Sequence, residues 1–155
     1  MKTTISLMLF LLASIMSYSQ VVTVTGAENC CANTAVENKC SALSEALQNT
    51  EKVTFLDLSM QSPKLTAVPK EVAQLPNLTC LDVSFNRIAS IPDVIVDCKS
   101  LTCINLSGNQ YLQTLPSVLK KLPNLKVIYL TDMQLWSEAK KAALKKEFDG
   151  IELIF

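Results

Sequence analysis

The chain has 155 residues, of which 49% are hydrophobic and 18% are charged, with 14 basic and 14 acidic side chains. This length allows one domain with an apolar core, and the balanced charge gives no electrostatic reason to expect binding to nucleic acid or to an anionic membrane surface. The sequence contains no histidine. That excludes Ser-His and Cys-His catalytic pairs, histidine general bases and the commonest metal ligand, so we expect no metal, no cofactor and no enzymatic activity.

The first residues have the pattern of a secretory signal peptide. A basic second residue precedes an apolar run over 5–16, and the small residues Ser17 and Ser19 stand at the −3 and −1 positions of a cleavage site. We therefore predict a leader over 1–19 that is removed just before Gln20, which makes the protein secreted, periplasmic or otherwise extracytoplasmic. The alternative is a membrane anchor, but a spanning helix needs roughly 20 apolar residues. We expect no membrane span in the mature chain.

Residues 20–52 are predicted as an N-terminal segment that ends in a cap for the repeats described below. Within it, residues 41–49 have the pattern of a short amphipathic helix. Ser41 is a suitable N-cap residue, and Leu43 and Leu47 lie four positions apart on one helical face. This helix is expected to cover the apolar end of the first repeat.

Residues 53–155 repeat one apolar pattern at intervals of 23 to 25 residues. Each unit opens with L-x-x-L-x-L, in which another large apolar residue can replace leucine, and the units begin at Val53, Leu78, Leu101, Leu125 and Phe148. The first three units continue into an aliphatic–proline step, at Val68-Pro69, Ile91-Pro92 and Leu115-Pro116. The alternation predicts a short strand in which Leu56 and Leu58 point inward. The proline step predicts a short helical turn with proline at its first position.

This pattern resembles the leucine-rich repeat family, in the variant with a Leu-Pro step in each unit. The resemblance implies an α/β fold: a leucine-rich-repeat solenoid, a short right-handed arc with a parallel concave β-sheet, made of four units and a terminal half-unit. Asn86 and Asn109 stand where the family has an asparagine that bonds to the backbone inside the stack, whereas Gln61 and Met133 stand there in the first and fourth units. The leader and the short cap are similar to those of exported repeat proteins of Bacteroidetes-type bacteria.

A helix and a last strand are predicted to cap the C-terminal end of the solenoid. Ser137 is a suitable N-cap for a helix that runs to about Glu147. Its expected inward residues are Ala139, Ala143 and Leu144. A final strand is predicted over residues 151–155. Trp136 is expected to pack over this end, and a role in partner binding is the alternative.

Three cysteines lie within the repeats. Cys98 occupies the place of Leu75 and Leu122 in the neighbouring units, which predicts a buried thiol. Cys80 and Cys103 share an outward strand position in adjacent units. Neighbouring strands lie ~4.8 Å apart and a disulfide accepts Cα separations of ~4.4–6.8 Å, so a disulfide between these two cysteines is feasible.

Three further cysteines, Cys30, Cys31 and Cys40, precede the first repeat. An exported chain can form disulfides, and either Cys30 or Cys31 is a candidate partner for Cys40. The remaining thiol of this group has no assigned partner. No two cysteines have the C-x-x-C spacing typical of zinc sites and thioredoxin-type redox motifs, so no metal site is predicted.

The concave sheet is the usual binding face of leucine-rich-repeat proteins, and the resemblance therefore implies a candidate site on the outward strand residues. Its predicted members are Phe55, Asp57, Asp82, Phe85, Asn105, Tyr129 and Glu152. All of these except the two phenylalanines are expected to form one column across the strands. Aromatic residues are good anchors at protein interfaces, and the carboxylates suit a basic partner. Phe85 packing against the following turn is an alternative, and the column Ser59, Ser84, Ser107 and Thr131 is expected to be structural.

The sequence thus predicts an exported, monomeric module that binds an unknown protein or peptide through its concave face. A structural or adhesive component of the cell surface is the alternative. A second alternative is a thiol-disulfide enzyme that uses Cys80 and Cys103, although no cationic group or helix N-terminus is evident to lower a thiol pKa. Hydrolysis by Asp57 and Asp82 is not predicted, because an open strip offers no pocket that excludes water and no nucleophile–base pair.

Overall fold

The computed structural model describes residues 38–155, which form a solenoid built on one parallel sheet. The six strands follow one another across the sheet in chain order: β1 Lys39–Cys40, β2 Phe55–Asp57, β3 Cys80–Asp82, β4 Cys103–Asn105, β5 Val127–Tyr129 and β6 Glu152–Ile154. In each strand from β2 to β6 the middle residue is buried in the core and its two neighbours point to the other face. The α/β repeat solenoid predicted from the sequence is confirmed. The predicted leader, with Cys30 and Cys31, lies outside the described residues.

Three short 3-10 helices stack on one another behind the core: Lys70–Gln74, Asp93–Asp97 and Ser117–Lys121. Each buries one aliphatic side chain completely, namely Val72, Ile95 and Leu119. A proline with an extended ψ of 132° to 150° stands immediately before each helix. We predicted proline at the first helical position, and this is wrong. The proline is the N-cap residue, because the chain is still extended where the proline ring fixes φ.

Cys98 lies fully buried in this core, as its repeat position predicts. Its thiol donates to the backbone carbonyl of Val72 across 3.4 Å. Burial, and then the negative charge of Asp97, raises the pKa of the Cys98 thiol to about 11. The thiolate is the reactive form of cysteine, so Cys98 is an inert core residue at neutral pH.

Two buried asparagines tie successive units together, as the repeat pattern predicts. The Asn109 Nδ2 donates to the carbonyl oxygens of Val83 and Leu106 at 3.0 and 2.9 Å. Its Oδ1 accepts from the backbone N–H of Ile88 at 2.9 Å. Asn86 makes the equivalent bonds one unit earlier in the chain. Each side chain thus satisfies backbone groups of its own unit and of the unit before it, which would otherwise be buried without partners.

A second ladder of side chains runs along the outside of the turns before the strands. Its members, Asn77, Ser100 and Asn124, occupy the same position in successive units. Each donates to a backbone carbonyl of the preceding unit at 2.8 Å, and the acceptors are Glu51, Pro76 and Lys99. The contact between neighbouring units is therefore hydrogen-bonded at two places besides the sheet.

The N-terminal cap differs from the prediction in two respects. Its helix, α1, is shorter and covers Leu43–Ala46. The residue before it is Ala42, whose side chain cannot cap the helix, so the prediction of Ser41 as the N-cap is wrong. The cap also contributes β1, which pairs with β2 and which no repeat pattern indicated. Leu43 and Leu47 pack against the core as predicted, beside the fully buried Ala46.

The C-terminal cap contains the helix α2, Glu138–Glu147, and the predicted N-cap is confirmed because the Ser137 hydroxyl accepts from the Lys140 N–H at 3.3 Å. Leu144 is buried, as predicted, and so is Phe148, which follows it by four residues. Ala139 and Ala143 are exposed, so their predicted inward placement is wrong. Leu144 and Phe148, four residues apart, form the ridge by which the helix packs on the end of the core, and the alanines lie outside that ridge.

Trp136 packs over the C-terminal end of the core, as predicted. Its side chain is buried, its Nε1 donates to the Leu112 carbonyl at 2.9 Å, and its ring lies 6.3 Å from that of Phe155. The described residues contain no helix that is both long enough and apolar enough to cross a membrane.

The register of β6 differs from the prediction by two residues. Leu153 pairs with Ile128, so Glu152 lies beside Val127 and Ile154 lies beside Tyr129. We expected Glu152 beside Tyr129. The terminal half-unit has no following proline step to fix its alignment, and the alternation of the strand alone permits a shift by two.

Candidate binding face

The outward strand residues form two columns across the sheet. The first column contains the opening residues of the strands, Phe55, Cys80, Cys103, Val127 and Glu152. The second column contains their closing residues, Asp57, Asp82, Asn105, Tyr129 and Ile154. Six of the seven predicted binding residues therefore share this face, and Phe85 follows it.

Most aromatic and apolar side chains of this face are buried. Phe55 is 5% exposed and Tyr129 6%, and together with Cys80 and Cys103 they form a cluster that is separate from the main core. The Lys39 ammonium also lies 4.7 Å above the Phe55 ring. The expectation that Phe55 and Tyr129 are exposed aromatics is therefore wrong, because their surfaces are in contact with other side chains, and their role in binding stays a prediction.

Asp57 is the carboxylate of the second column with an ion pair as well as hydrogen bonds. Its Oδ2 lies 2.9 Å from the Lys39 Nζ, and its Oδ1 accepts from the hydroxyl and the N–H of Ser59 at 2.7 and 3.1 Å. Burial raises the pKa of the Asp57 carboxyl, but the hydrogen bonds from Ser59 and Lys39 lower it more, and the pKa ends below the ordinary value of 3.8. Asp57 is thus held in its ionised form.

Asp82 and Asn105 are held in the same way. The Asp82 Oδ1 accepts from the Ser84 N–H at 2.9 Å, and the Asn105 Oδ1 accepts from the Ser107 N–H at 3.1 Å. In addition the Asn105 Nδ2 donates to the Asp82 Oδ2 at 2.9 Å. Bonding of Asp or Asn to the N–H two residues onward is a common turn motif. It fixes the side-chain oxygen atoms of Asp57, Asp82 and Asn105 in one row.

The Ser/Thr column beyond the strands is part of the scaffold, as predicted. Ser84 and Ser107 are buried, and their carbonyls accept from the backbone of the preceding unit, from Met60 and Phe85 at 3.0 and 2.8 Å. The Ser107 hydroxyl accepts from the Thr131 N–H at 3.1 Å. That bond replaces the turn motif in the fourth unit, where Tyr129 has no oxygen near enough to the backbone to form it.

The residue after each Ser or Thr of this column has a left-handed backbone. We call these four residues the left-handed row: Met60, Phe85, Gly108 and Asp132, with φ of 51°, 54°, 68° and 58°. Met60 is 64% exposed and Phe85 40%. A Cβ at Gly108 would lie 2.6 Å from the Phe85 Cδ1, so the Phe85 ring rests on Gly108. Phe85 therefore packs against the following turn and remains partly open. The left-handed row cannot be recognised from the sequence, because only one of its members is glycine.

Cys80 and Cys103 are buried partners in the parallel register of β3 and β4. The free cysteines of the described residues are Cys40 and Cys98. Burial, followed by the charge of Glu45, raises the pKa of the Cys40 thiol. Within residues 38–155, no three cysteine or acidic side chains lie close enough together to hold a metal ion.

A shallow cavity of about 450 Å³ lies on the helical side, between the second and third 3-10 helices. Val96, Pro116 and Val118 supply apolar lining, and Asp93, Lys99 and Lys121 supply charges of both signs. No hydrogen-bonded row of polar atoms comparable to the second column is found there among the described residues, so the sheet face is the stronger candidate site.

Comparison with known proteins finds leucine-rich repeats. The sequence pattern of leucine-rich repeats, in two copies, matches residues 76–120. The solved structure of a leucine-rich-repeat protein of Leptospira interrogans is similar to this chain, with 30% identity and a TM-score of 0.59, over 76% of this chain and 28% of that one. The chain thus spans well under a third of that protein's length. No curated protein matches the chain. With the stacked units and the parallel sheet described above, these matches support a leucine-rich repeat protein, and such repeats indicate a scaffold for protein–protein interaction.

Proposed function

We propose that this protein is an exported module that binds a partner protein or peptide on its concave sheet face. The observation that supports this best is the second column. Asp57 and Asp82 lie side by side on adjacent strands, and each is fixed by a hydrogen bond from the backbone two residues onward. A rigid group loses little conformational freedom when a partner binds, so fixed carboxylates favour association.

The charges of this face favour a basic partner. Asp57 is held ionised, and Glu152 is exposed on the first column at the far end of the sheet. Lysine or arginine side chains of a partner would meet Asp82 in the middle of the sheet and Glu152 on its last strand. Complementary charge on an exposed surface mainly raises the association rate and makes binding sensitive to salt.

Two paired variants test this role. Asp82→Asn with Glu152→Gln removes two carboxylates from the sheet face, and Asp93→Asn with Asp97→Asn removes two from the helical side. Partners are captured from surface and medium fractions by the wild-type protein, and the affinity of an identified partner is then measured. We expect the sheet variant to lose on the order of tenfold in affinity, equivalent to about 1.4 kcal/mol, and the helical-side variant to bind normally. Equal affinity of both variants would place the binding surface elsewhere.

Export is a proposal drawn from the leader. If the chain is secreted, the protein recovered outside the cytoplasm begins at Gln20, and N-terminal sequencing of that fraction tests this directly. A protein that keeps residues 1–19 and remains in the cytoplasm contradicts the proposal. The same leader also makes an oxidising environment the expected one.

In that environment we propose a disulfide between Cys80 and Cys103, which would tie β3 to β4 within the first column. The register supports it, since neighbouring parallel strands lie ~4.8 Å apart. Burial of both residues favours a structural bond over a thiol-disulfide enzyme, since an exchanging thiol must be accessible. Non-reducing peptide mapping should recover one peptide that joins the two cysteines, and recovery of both as separate alkylated thiols would contradict the bond.

A further inference from the structure

The left-handed row holds unusual residue types at its first two positions. A left-handed backbone suits glycine, asparagine and aspartate, whereas a bulky side chain is strained there. Gly108 and Asp132 follow this preference, but Met60 and Phe85 do not. Both also expose apolar surface, with 64% of Met60 and 40% of Phe85 open to solvent. The backbone conformation thus disfavours these two side chains, and their partial burial offsets only part of that cost.

Met60 and Phe85 lie next to each other and form what we call the apolar shelf. The Met60 N–H donates to the Ser84 carbonyl at 3.0 Å, which places Met60 beside Phe85 in the next unit. The Phe85 ring extends towards the third unit and rests on Gly108, where any side chain would collide with it. The ring is therefore held against the turn, with its other surface available.

A negative charge stands at the far end of the row. The Gly108 N–H donates to the Thr131 carbonyl at 2.9 Å, so Asp132 lies directly beyond Gly108. Asp132 is exposed, and no salt bridge to it occurs within residues 38–155. Phe85 and Asp132 are two strand spacings apart, about 10 Å, and an extended peptide advances about 3.3 Å per residue. A bound segment would therefore cover that distance in about three residues.

We propose that the apolar shelf and Asp132 bind an extended segment of a partner protein that carries a bulky apolar side chain and, about three residues away, a lysine or arginine. The apolar side chain covers the exposed surfaces of Met60 and Phe85, and the cation meets the Asp132 carboxylate. This inference rests on the proposed function, because it specifies the partner chemistry for the same edge of the concave face. The cation has the sign that Asp82 also favours, and Asp57 is already paired with Lys39.

The test uses random ten-residue peptides displayed on phage and selected on immobilised protein purified from the full chain. The wild type is expected to enrich peptides with an apolar residue and a basic residue about three positions apart. Met60→Asn with Phe85→Asn should bind those peptides at least tenfold more weakly while remaining folded by circular dichroism, because asparagine suits the left-handed backbone although the packing of the Phe85 ring on Gly108 is lost. Asp132→Lys should select peptides with an acidic residue in place of the basic one.

Leu135→Asn is the matched control, because Leu135 is an exposed apolar residue outside the left-handed row, and it should leave peptide binding unchanged. The inference is overturned if the selected peptides bind the shelf variant as well as the wild type, if Asp132→Lys still selects basic peptides, or if the wild type enriches no common pattern. If the carboxylate variants of the sheet face lose their partner while the shelf variant keeps it, the proposed function holds and this inference alone fails.

Discussion

At the scale of single residues, the buried asparagines contribute more to the stability of the fold than their size suggests. Asn109 satisfies two carbonyls and one N–H inside the stack, and a buried backbone group without a partner costs free energy. No apolar residue of similar volume can replace these bonds. The same reasoning separates Asn109 from Asn124, which makes one hydrogen bond on the exposed side of a turn.

We therefore expect Asn109→Ala to lower the free energy of unfolding by about 3 kcal/mol, since each group left unsatisfied costs ~1–3 kcal/mol. Asn124→Ala is the control, with an expected loss below about 1 kcal/mol. Urea denaturation of the three proteins measures both values. Similar losses for the two variants would show that the Asn109 carboxamide is not satisfying the buried backbone.

Asp57 gives stability a defined pH dependence. Its pKa is lower in the folded protein than the ordinary 3.8, so its contribution is present above pH 3.8 and is lost as the pH falls through the folded pKa. We expect the free energy of unfolding of the wild type to fall more steeply below pH 3.8 than that of Asp57→Asn. Denaturation between pH 2.5 and 6 measures the two slopes, and parallel curves would contradict the role assigned to Ser59 and Lys39.

Repeat position predicted some residues well and others poorly. Asn86, Asn109 and Cys98 were predicted correctly, because a place in the repeat determines whether a side chain faces the stack. Phe55 and Tyr129 were placed on the right face but expected to be exposed. Direction in a strand follows from alternation, whereas exposure depends on what the neighbouring side chains cover, and that is a property of the assembled sheet.

At the scale of elements, the repeats were predicted closely and the two caps only in outline. The strands and proline steps recur, so each unit corroborates the others. The caps occur once, and neither β1 nor the register of β6 has a second copy in the sequence to align with. At α2, Leu144 and Phe148 face the core and the alanines do not. The high helix propensity of alanine predicts that a helix forms, but it does not predict which residues face the core.

The ridge of α2 can be tested with one pair of variants. Leu144→Ala should destabilise the protein by ~2–5 kcal/mol, because it removes a buried side chain from the end of the core. Ala143→Gln is the control, since glutamine is a good helix former and position 143 is exposed, and its effect should stay within about 0.5 kcal/mol. Thermal and urea unfolding distinguish the two, and a large loss for Ala143→Gln would place that residue in the core.

At the scale of the whole molecule, the solenoid joins each unit only to its neighbours. The sheet pairs strands in chain order, and each 3-10 helix stacks on the next. Stability is then close to a sum of units and the contacts between them. The hydrogen-bonded residues of the second column, Asp57, Asp82 and Asn105, lie in the first three units, and Met60 and Phe85 lie in the first two. A substitution in α2 is therefore expected to disturb the fourth unit, which contains Asp132, before it reaches these residues.

The outer ladder of Asn77, Ser100 and Asn124 has a consequence for how such a chain changes in length. Each of these side chains donates a hydrogen bond to a carbonyl one unit back, and the buried asparagines do the same. A duplicated or deleted segment preserves all of these hydrogen bonds only when it comprises one whole period of the sequence. A single inserted residue misaligns the strand, the inner bonds and the outer ladder together. Recombination between units, more than gradual insertion, is therefore the route by which this architecture can acquire a longer or shorter binding surface.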